Sequence, residues 1–193
     1  MSVALTLGGA ERSVLAVRLR GLLPPALFLL AVAGCSGATT TAGGADGPAQ
    51  TAYPPPAGQG PIVVLLSGHS GPGYYQPIAG AIAKLGYYAV LLDGKDILTR
   101  EQDGRGNLRT AIERAQASPH AVPGKAAVIG FSRGGGGALV HAADMRSAAF
   151  ELVVYPYAEH GFNLPGSGAY RGDDEADAWK RTVEMLRRHQ PLR

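Results

Sequence analysis

The sequence has one cysteine, little charge, no internal repeat and no apolar run long enough to cross a membrane as a helix. Because Cys35 is the only cysteine among the 193 residues, no disulfide can form within the chain. Charged residues make up 17% of the chain and hydrophobic residues 46%. This balance is typical of globular proteins and excludes an extended disordered chain.

The excess of basic residues is small and lies mostly at the N-terminus. The chain has 18 lysines and arginines against 15 acidic residues. Residues 1–34 contain three arginines and one glutamate, so the remainder of the chain is nearly neutral. The remaining basic residues are scattered rather than clustered, whereas nucleic-acid binding needs a basic surface. We therefore expect no nucleic-acid partner.

Residues 1–34 have the pattern of an export signal. Arg18 and Arg20 precede the apolar run GLLPPALFLLAVAG, which is shorter than the roughly 20 residues of a membrane-spanning helix. The run leads into VAGC, which resembles the lipobox of bacterial lipoproteins, where the cysteine carries lipid after cleavage. This resemblance implies a protein anchored in the bacterial cell envelope through Cys35. A plain secretory signal with an incidental cysteine is the alternative.

The next segment, residues 35–60, is rich in glycine, alanine, threonine and proline and is almost uncharged. Such a composition cannot bury enough apolar surface to offset the entropy of ordering the chain. We predict a flexible tether over 35–60, followed by one folded domain over 61–193.

Strands and helices alternate in the hydrophobic pattern of the folded part. Continuous β-branched runs such as IVVLLS indicate strands buried on both faces, and amphipathic segments indicate helices that cover them. The pattern predicts an α/β fold with a mainly parallel sheet of about four strands and flanking helices. The predicted strands are 62–67, 87–94, 125–131 and 150–156, and the predicted helices are 77–86, 106–118, 134–148 and 173–189.

A Gly-x-Ser-x-Gly motif, GFSRG, lies between a predicted strand and a predicted helix. This setting is typical of a nucleophile elbow, a tight turn that raises the Ser132 hydroxyl above the strand ends. The N–H of Arg133 would then point to where an oxyanion forms. A glycine-rich turn with an N-capping serine is the alternative. A phosphate-binding loop fits poorly, because its Gly-Lys-Ser/Thr ending is missing.

A serine hydroxyl needs a base to become a good nucleophile, and His160 is the candidate. It lies in VVYPYAEHGFN, directly after a predicted strand, and it follows Ser132 in the order expected for this fold. The other four histidines lack this combination of position and order, namely His69, His120, His141 and His189.

Four segments, LLSGHSGP, LGYYAVLLDG, GKAAVIGFSRGGGGAL and ELVVYPYAEHGF, together resemble the dienelactone hydrolase family of α/β-hydrolases. The resemblance implies hydrolysis of a small ester or lactone through an acyl-enzyme on Ser132. His160 would act as general base and then as general acid. It also implies that the N–H of His69 joins that of Arg133 in the oxyanion hole. No cofactor is implied, and the histidines and acids lack metal-ligand spacing.

The chain departs from the family where the acid of a triad should be. Only 28 positions separate Ser132 from His160, which leaves no room for the usual acid loop. The chain looks like a family member with a deletion between about Val140 and Phe150. Asp144 is our nominee for the acid from chain order alone, although a helix there would direct it away from Ser132. Glu159 and the acids at 173–174 are weaker alternatives.

Two functions from different classes follow from this departure. The first is a serine hydrolase with an incomplete triad, in which strand 150–156 pairs directly with strand 125–131 and brings His160 to Ser132. The second is a catalytically impaired relative that serves as a surface lipoprotein or binding protein, and a decayed coding sequence is a third possibility.

Overall fold

The computed structural model describes residues 2–7, 37–43, 47–100, 103–142, 148–151, 155 and 157–192. These residues form a mixed α/β fold, which confirms the predicted class. The strands are β1 (Ser2–Leu7), β2 (Thr39–Thr41), β3 (Gln50–Tyr53), β4 (Ile62–Leu66), β5 (Tyr88–Leu92), β6 (Ala127–Phe131) and β7 (Ala148–Glu151). The helices are α1 (Gln76–Lys84), α2 (Gly104–Gln116), α3 (Arg133–Ala142) and α4 (Gly172–His189), and a 3-10 turn at Pro72–Tyr75 precedes α1.

The centre of the sheet is the parallel set β5-β4-β6, in which Val64 lies opposite both Val90 and Val128. Every residue of these three strands is buried. Their continuous apolar sequences follow from this position, because helices cover both faces of a parallel sheet. The carboxyl ends of the three strands therefore meet at one edge, where the loops that follow them can form a site.

Alternate residues of the central strands enter two separate cores. On one face, α2 and α3 pack on a cluster that includes Val64, Val90, Val128, Leu108 and Ala138. On the other face, α1 and α4 pack on a cluster that includes Leu65, Leu91, Ile129, Ile82 and Leu186. This alternation is the period of two that side chains follow along a strand.

The sheet is wider than predicted, with the strand order β2-β3-β5-β4-β6-β1-β7. The expectation of about four mainly parallel strands is wrong among the described residues, because four of the six strand pairings are antiparallel. Two of the added strands come from the predicted tether over 35–60. Residues Gln50–Tyr53 pair with β5, and Gln50 is buried. This segment orders because it supplies partners for the backbone groups on the open edge of β5.

The third added strand, β1, lies between β6 and β7 and is antiparallel to both. The predicted direct pairing of the histidine-side strand with β6 is therefore wrong, although β7 still runs parallel to β6. A gap in a sheet leaves backbone N–H and C=O groups without partners, and β1 fills it. Most of the predicted export signal over 1–34, and Cys35 itself, lie outside the described residues. Export therefore stays a prediction.

Two element boundaries differ from the predicted ones near the proposed deletion. Helix α3 is described to Ala142, and β7 begins at Ala148, two residues before the predicted strand. Asp144 falls in the interval 143–147, which lies outside the described residues. Among the helices described, none has the length and apolar character needed to cross a membrane.

Candidate active site

Ser132 occupies a tight turn between β6 and α3. It is the one described non-glycine residue with a positive φ, at 50°. This left-handed backbone conformation costs a serine of the order of 1 kcal/mol, and such strain is often found at functional positions. A side chain on Gly130 would collide with the backbone of Gly134, and one on Gly134 would collide with the Leu66 carbonyl. The glycines of the motif are therefore required by the close approach of α3 to β6 and to β4.

The structure brings His160 to this serine. The Nε2 atom of His160 lies 2.6 Å from the Oγ atom of Ser132, within a loop that follows β7. Both residues are exposed to solvent. With its proton on Nδ1, a neutral His160 accepts the hydrogen bond from the serine hydroxyl, which is the arrangement that a general base needs.

No described carboxylate lies within hydrogen-bonding or ion-pairing distance of His160. Glu159 is exposed, and Asp173 lies in the first turn of α4. Asp174, in the same turn, is paired with Arg171. The nominated acid, Asp144, lies outside the described residues, so its role stays a prediction. The described site is thus a serine–histidine pair.

The histidine loop is attached to α4 through Tyr155. Its hydroxyl donates a hydrogen bond of 2.8 Å to Oδ2 of Asp177, and its ring lies 5.3 Å from that of buried Phe162. Burial and the hydrogen bond to the carboxylate raise the pKa of Tyr155 to about 12. Hydrogen bonds from Arg181 and then from Tyr155 lower the pKa of Asp177.

The backbone of Arg133 begins α3 beside the serine. The first N–H groups of a helix have no acceptor within the helix, so this N–H is available to a developing oxyanion. The guanidinium does not contribute there, because its Nε donates a 3.0 Å hydrogen bond to the Leu98 carbonyl.

The first loop, which follows β4, places Gly68 against the serine and His69 in the exposed turn beyond it. A Cβ atom built on Gly68 would lie 3.3 Å from that of Ser132, so Gly68 packs against the serine. His69 is exposed in the turn that follows, which the Gly71 N–H closes by bonding to the Gly68 carbonyl at 3.1 Å. The participation of the His69 N–H in an oxyanion hole stays a prediction.

Tyr75 is a residue of the site that the sequence analysis missed. Its hydroxyl accepts a hydrogen bond from the Gly68 N–H, and its ring lies 4.7 Å from that of Phe131. Burial raises the pKa of this tyrosine, whereas the Gly68 hydrogen bond lowers it. It lines a cavity of about 20 Å³ with Ser132 and His160, together with Asn163 and Leu164. The only signal in the sequence is the position of Tyr75 directly after the first loop.

The described residues hold no metal-binding cluster, and two comparisons with known proteins give no match. In the part of the chain that the structure describes, no three His, Cys, Asp or Glu side chains are grouped so that they could hold a metal ion. No family model matches the chain, and the search of curated proteins finds no similar sequence. The resemblance to dienelactone hydrolases is therefore a hypothesis that rests on the four segments themselves.

Proposed function

We propose that the chain is a serine hydrolase of the dienelactone hydrolase type, with an α/β-hydrolase-like fold, that cleaves a small ester or lactone through an acyl-enzyme. The observation that carries the proposal is the 2.6 Å contact between His160 Nε2 and Ser132 Oγ, with the serine in a left-handed turn between β6 and α3. A serine that merely caps a helix needs neither the strained backbone nor the histidine.

The reaction uses one proton carrier. The Oγ atom of Ser132 attacks the carbonyl carbon while its proton passes to Nε2 of His160, and the carbonyl oxygen becomes an oxyanion near the Arg133 N–H. Collapse of this intermediate breaks the bond to the alcohol oxygen, which takes the proton from Nε2. Water then attacks the acyl group, again giving its proton to His160, and the acid is released as Ser132 regains its hydrogen.

The described residues supply no carboxylate to His160, and this limits the rate that we expect. In a triad the acid holds the correct histidine tautomer and stabilises the imidazolium, and its loss costs about 10⁴-fold in rate. Exposed His160 can instead give its Nδ1–H to water, which orients the ring less firmly. We therefore expect slow turnover and a preference for esters with good leaving groups.

A fluorophosphonate probe tests the proposal without knowledge of the substrate. An activated serine attacks the phosphorus and expels fluoride, so the full chain should become labelled at Ser132. Ser132→Ala should abolish labelling, and His160→Ala should slow it at least tenfold because the base is lost. Ser118→Ala, which removes a hydroxyl in the turn after α2, serves as the control and should label normally. Equal labelling of the Ser132→Ala variant would reject Ser132 as the nucleophile.

The absence of a described acid beside His160 favours one other function. This second function is that of a catalytically impaired relative of the α/β-hydrolases, which serves as a surface lipoprotein or binding protein. Failure of the folded full chain to react with the probe, at concentrations that label an ordinary serine hydrolase completely, would favour this second function over the first.

We also propose export and anchoring through Cys35, on the evidence of the N-terminal sequence pattern. Cleavage before Cys35 would remove β1, so the sheet of the anchored protein would lack the strand between β6 and β7. Metabolic labelling with a fatty-acid analogue in a bacterial host should mark the wild-type protein and not Cys35→Ala. Label retained by the variant would reject the lipid anchor.

A further inference from the structure

An apolar groove of about 390 Å³ opens beside the serine–histidine pair. One wall is the first turns of α1 with Ile78, the opposite wall is α4 with Trp179, and the floor is the loop at Leu164 and Pro165. Such a volume is in the range of pockets that hold small ligands. The groove is built from three separate parts of the chain, so it exists only in the folded domain.

The groove is continuous with the reacting atoms. Asn163 and Leu164 line both the groove and the small cavity that contains Ser132 and His160. A second cavity of about 40 Å³ shares Asn163 and Trp179 with the groove. A molecule whose carbonyl lies at the serine can therefore extend along Asn163 into the groove.

The charge of the groove restricts what it can hold. Glu175 is the only acidic or basic residue among the described side chains that line it. Asp173, in the same first turn of α4, adds negative charge, whereas Asp174 is paired with Arg171. A carboxylate on the ligand would lie near these groups and lose its hydration in an apolar setting, which is unfavourable on both counts.

We infer that the groove binds the apolar part of an uncharged ester, and that Glu175 discriminates against esters bearing a carboxylate on that part. The inference rests on the proposed function, because it takes Ser132 as the position of the ester carbonyl. It goes beyond that function by naming the substrate class: neutral esters with an apolar chain or ring of several carbons.

Trp179 allows binding to be measured without catalysis, since it is the only tryptophan of the chain. The full chain carrying Ser132→Ala is titrated with methyl hexanoate, monomethyl adipate and methyl acetate while tryptophan emission is recorded. Methyl hexanoate should change the emission and saturate, because each buried methylene strengthens binding about fourfold. Monomethyl adipate, which ends in a carboxylate, should bind at least tenfold more weakly. Methyl acetate, which lacks the chain, should leave the emission unchanged.

Two pairs of variants locate the binding in the groove. Ala81→Phe places a ring in the groove and should weaken methyl hexanoate binding at least tenfold, whereas Ala176→Phe, on the exposed side of α4, should change it less than twofold. Glu175→Gln should lower the preference for methyl hexanoate over monomethyl adipate at least threefold. Glu184→Gln, an exposed carboxylate elsewhere on α4, should leave that preference as it is.

The outcomes separate this inference from the proposed function. If methyl hexanoate leaves Trp179 emission unchanged, or binds no better than monomethyl adipate, the inference is overturned even where fluorophosphonate labels Ser132. An unaltered preference in Glu175→Gln overturns the role of that carboxylate. Selective binding of methyl hexanoate by a chain that resists the fluorophosphonate supports the groove and rejects the hydrolase.

Discussion

The serine turn and the histidine loop meet at one hydrogen bond, yet different kinds of interaction hold them in place. The serine turn is held by its backbone, with the Gly134 N–H bonded to the Ser67 carbonyl at 3.1 Å and buried β6 before it. The histidine loop has backbone turns of its own, such as the 3.2 Å bond from the Phe162 N–H to the Glu159 carbonyl, but it adds side-chain attachments. These are the contact of Tyr155 with Asp177 on α4 and the burial of Phe162.

This difference affects how each half of the site tolerates change. Backbone contacts at close approach leave no space for an added atom. A single methyl group added to the serine turn should therefore lower the free energy of unfolding strongly. Side-chain contacts on an exposed loop are weaker and can rearrange, so the histidine loop should lose function gradually. The following predictions test the two halves against each other.

The largest effect is expected from removing the nucleophile. Ser132→Ala should lower the rate of p-nitrophenyl acetate hydrolysis about 10²-fold, because the covalent route is lost. A full triad contributes roughly 2 × 10⁶-fold, and the lack of a described acid has already removed about 10⁴ of this. Initial rates of purified wild type and variant at neutral pH measure it. A variant that retains most of the wild-type rate would show that the turn has only a structural role.

The second prediction concerns the backbone of the serine turn. Gly134→Ala should lower the free energy of unfolding by about 3 kcal/mol, because the new Cβ meets the carbonyl oxygens of Leu66 and Ser67. Gly80→Ala in α1 is the control, since open space surrounds Gly80 and alanine favours helices, so it should stabilise by about 0.5–1 kcal/mol. Urea denaturation measures both. Similar effects in the two variants would contradict the close approach at Gly134.

The third prediction concerns a variant that weakens the attachment of the histidine loop to α4. Tyr155→Phe removes the hydrogen bond to Asp177 but keeps the ring against Phe162, so kcat/KM should fall about fivefold through looser placement of His160. The rate constant of fluorophosphonate labelling at Ser132 should also fall while the final extent of labelling is unchanged, whereas a purely structural loss would lower the extent. Tyr157→Phe, at a tyrosine that is 84% exposed, should behave as wild type. Equal losses in both variants would rule out a positioning role for Tyr155.

The smallest effect is a pH dependence of the same contact. The pKa of Tyr155 is raised from 10.0 to about 12, so its contribution to stability is full below pH 10 and is lost as the pH rises from about 10 to 12. The pKa of Asp177 is lowered from 3.8, so the contribution is lost again as the pH falls below that value. Unfolding of wild type and Tyr155→Phe across this range should show the largest difference between them at intermediate pH. A difference that is constant from pH 3 to 11 would contradict this coupling.

Local sequence patterns predicted the parts of the fold that depend on neighbouring residues. The central strands and the four helices lie close to their predicted positions because buried runs and amphipathic repeats are readable within about ten residues. The turn at Ser132 was predicted for the same reason, since its glycines adjoin it. The edge strand at Gln50–Tyr53 was not predicted, because its short polar sequence becomes a strand only against β5.

The sequence by itself determined the α/β class, the serine turn and the choice of His160, because each depends on residue type and order along the chain. Only the tertiary structure decided the 2.6 Å contact of His160 with Ser132, the insertion of β1 beside β6, and the place of Tyr75 under the first loop. His160 lies 28 positions from Ser132, and β1 pairs with β6 across more than 120 positions. Tyr75 lies only 7 positions from Gly68, but its ring packs on Phe131, 56 positions later. Which distant segments come into contact depends on the edges and faces that the packed sheet leaves open. Local sequence patterns do not predict these edges and faces.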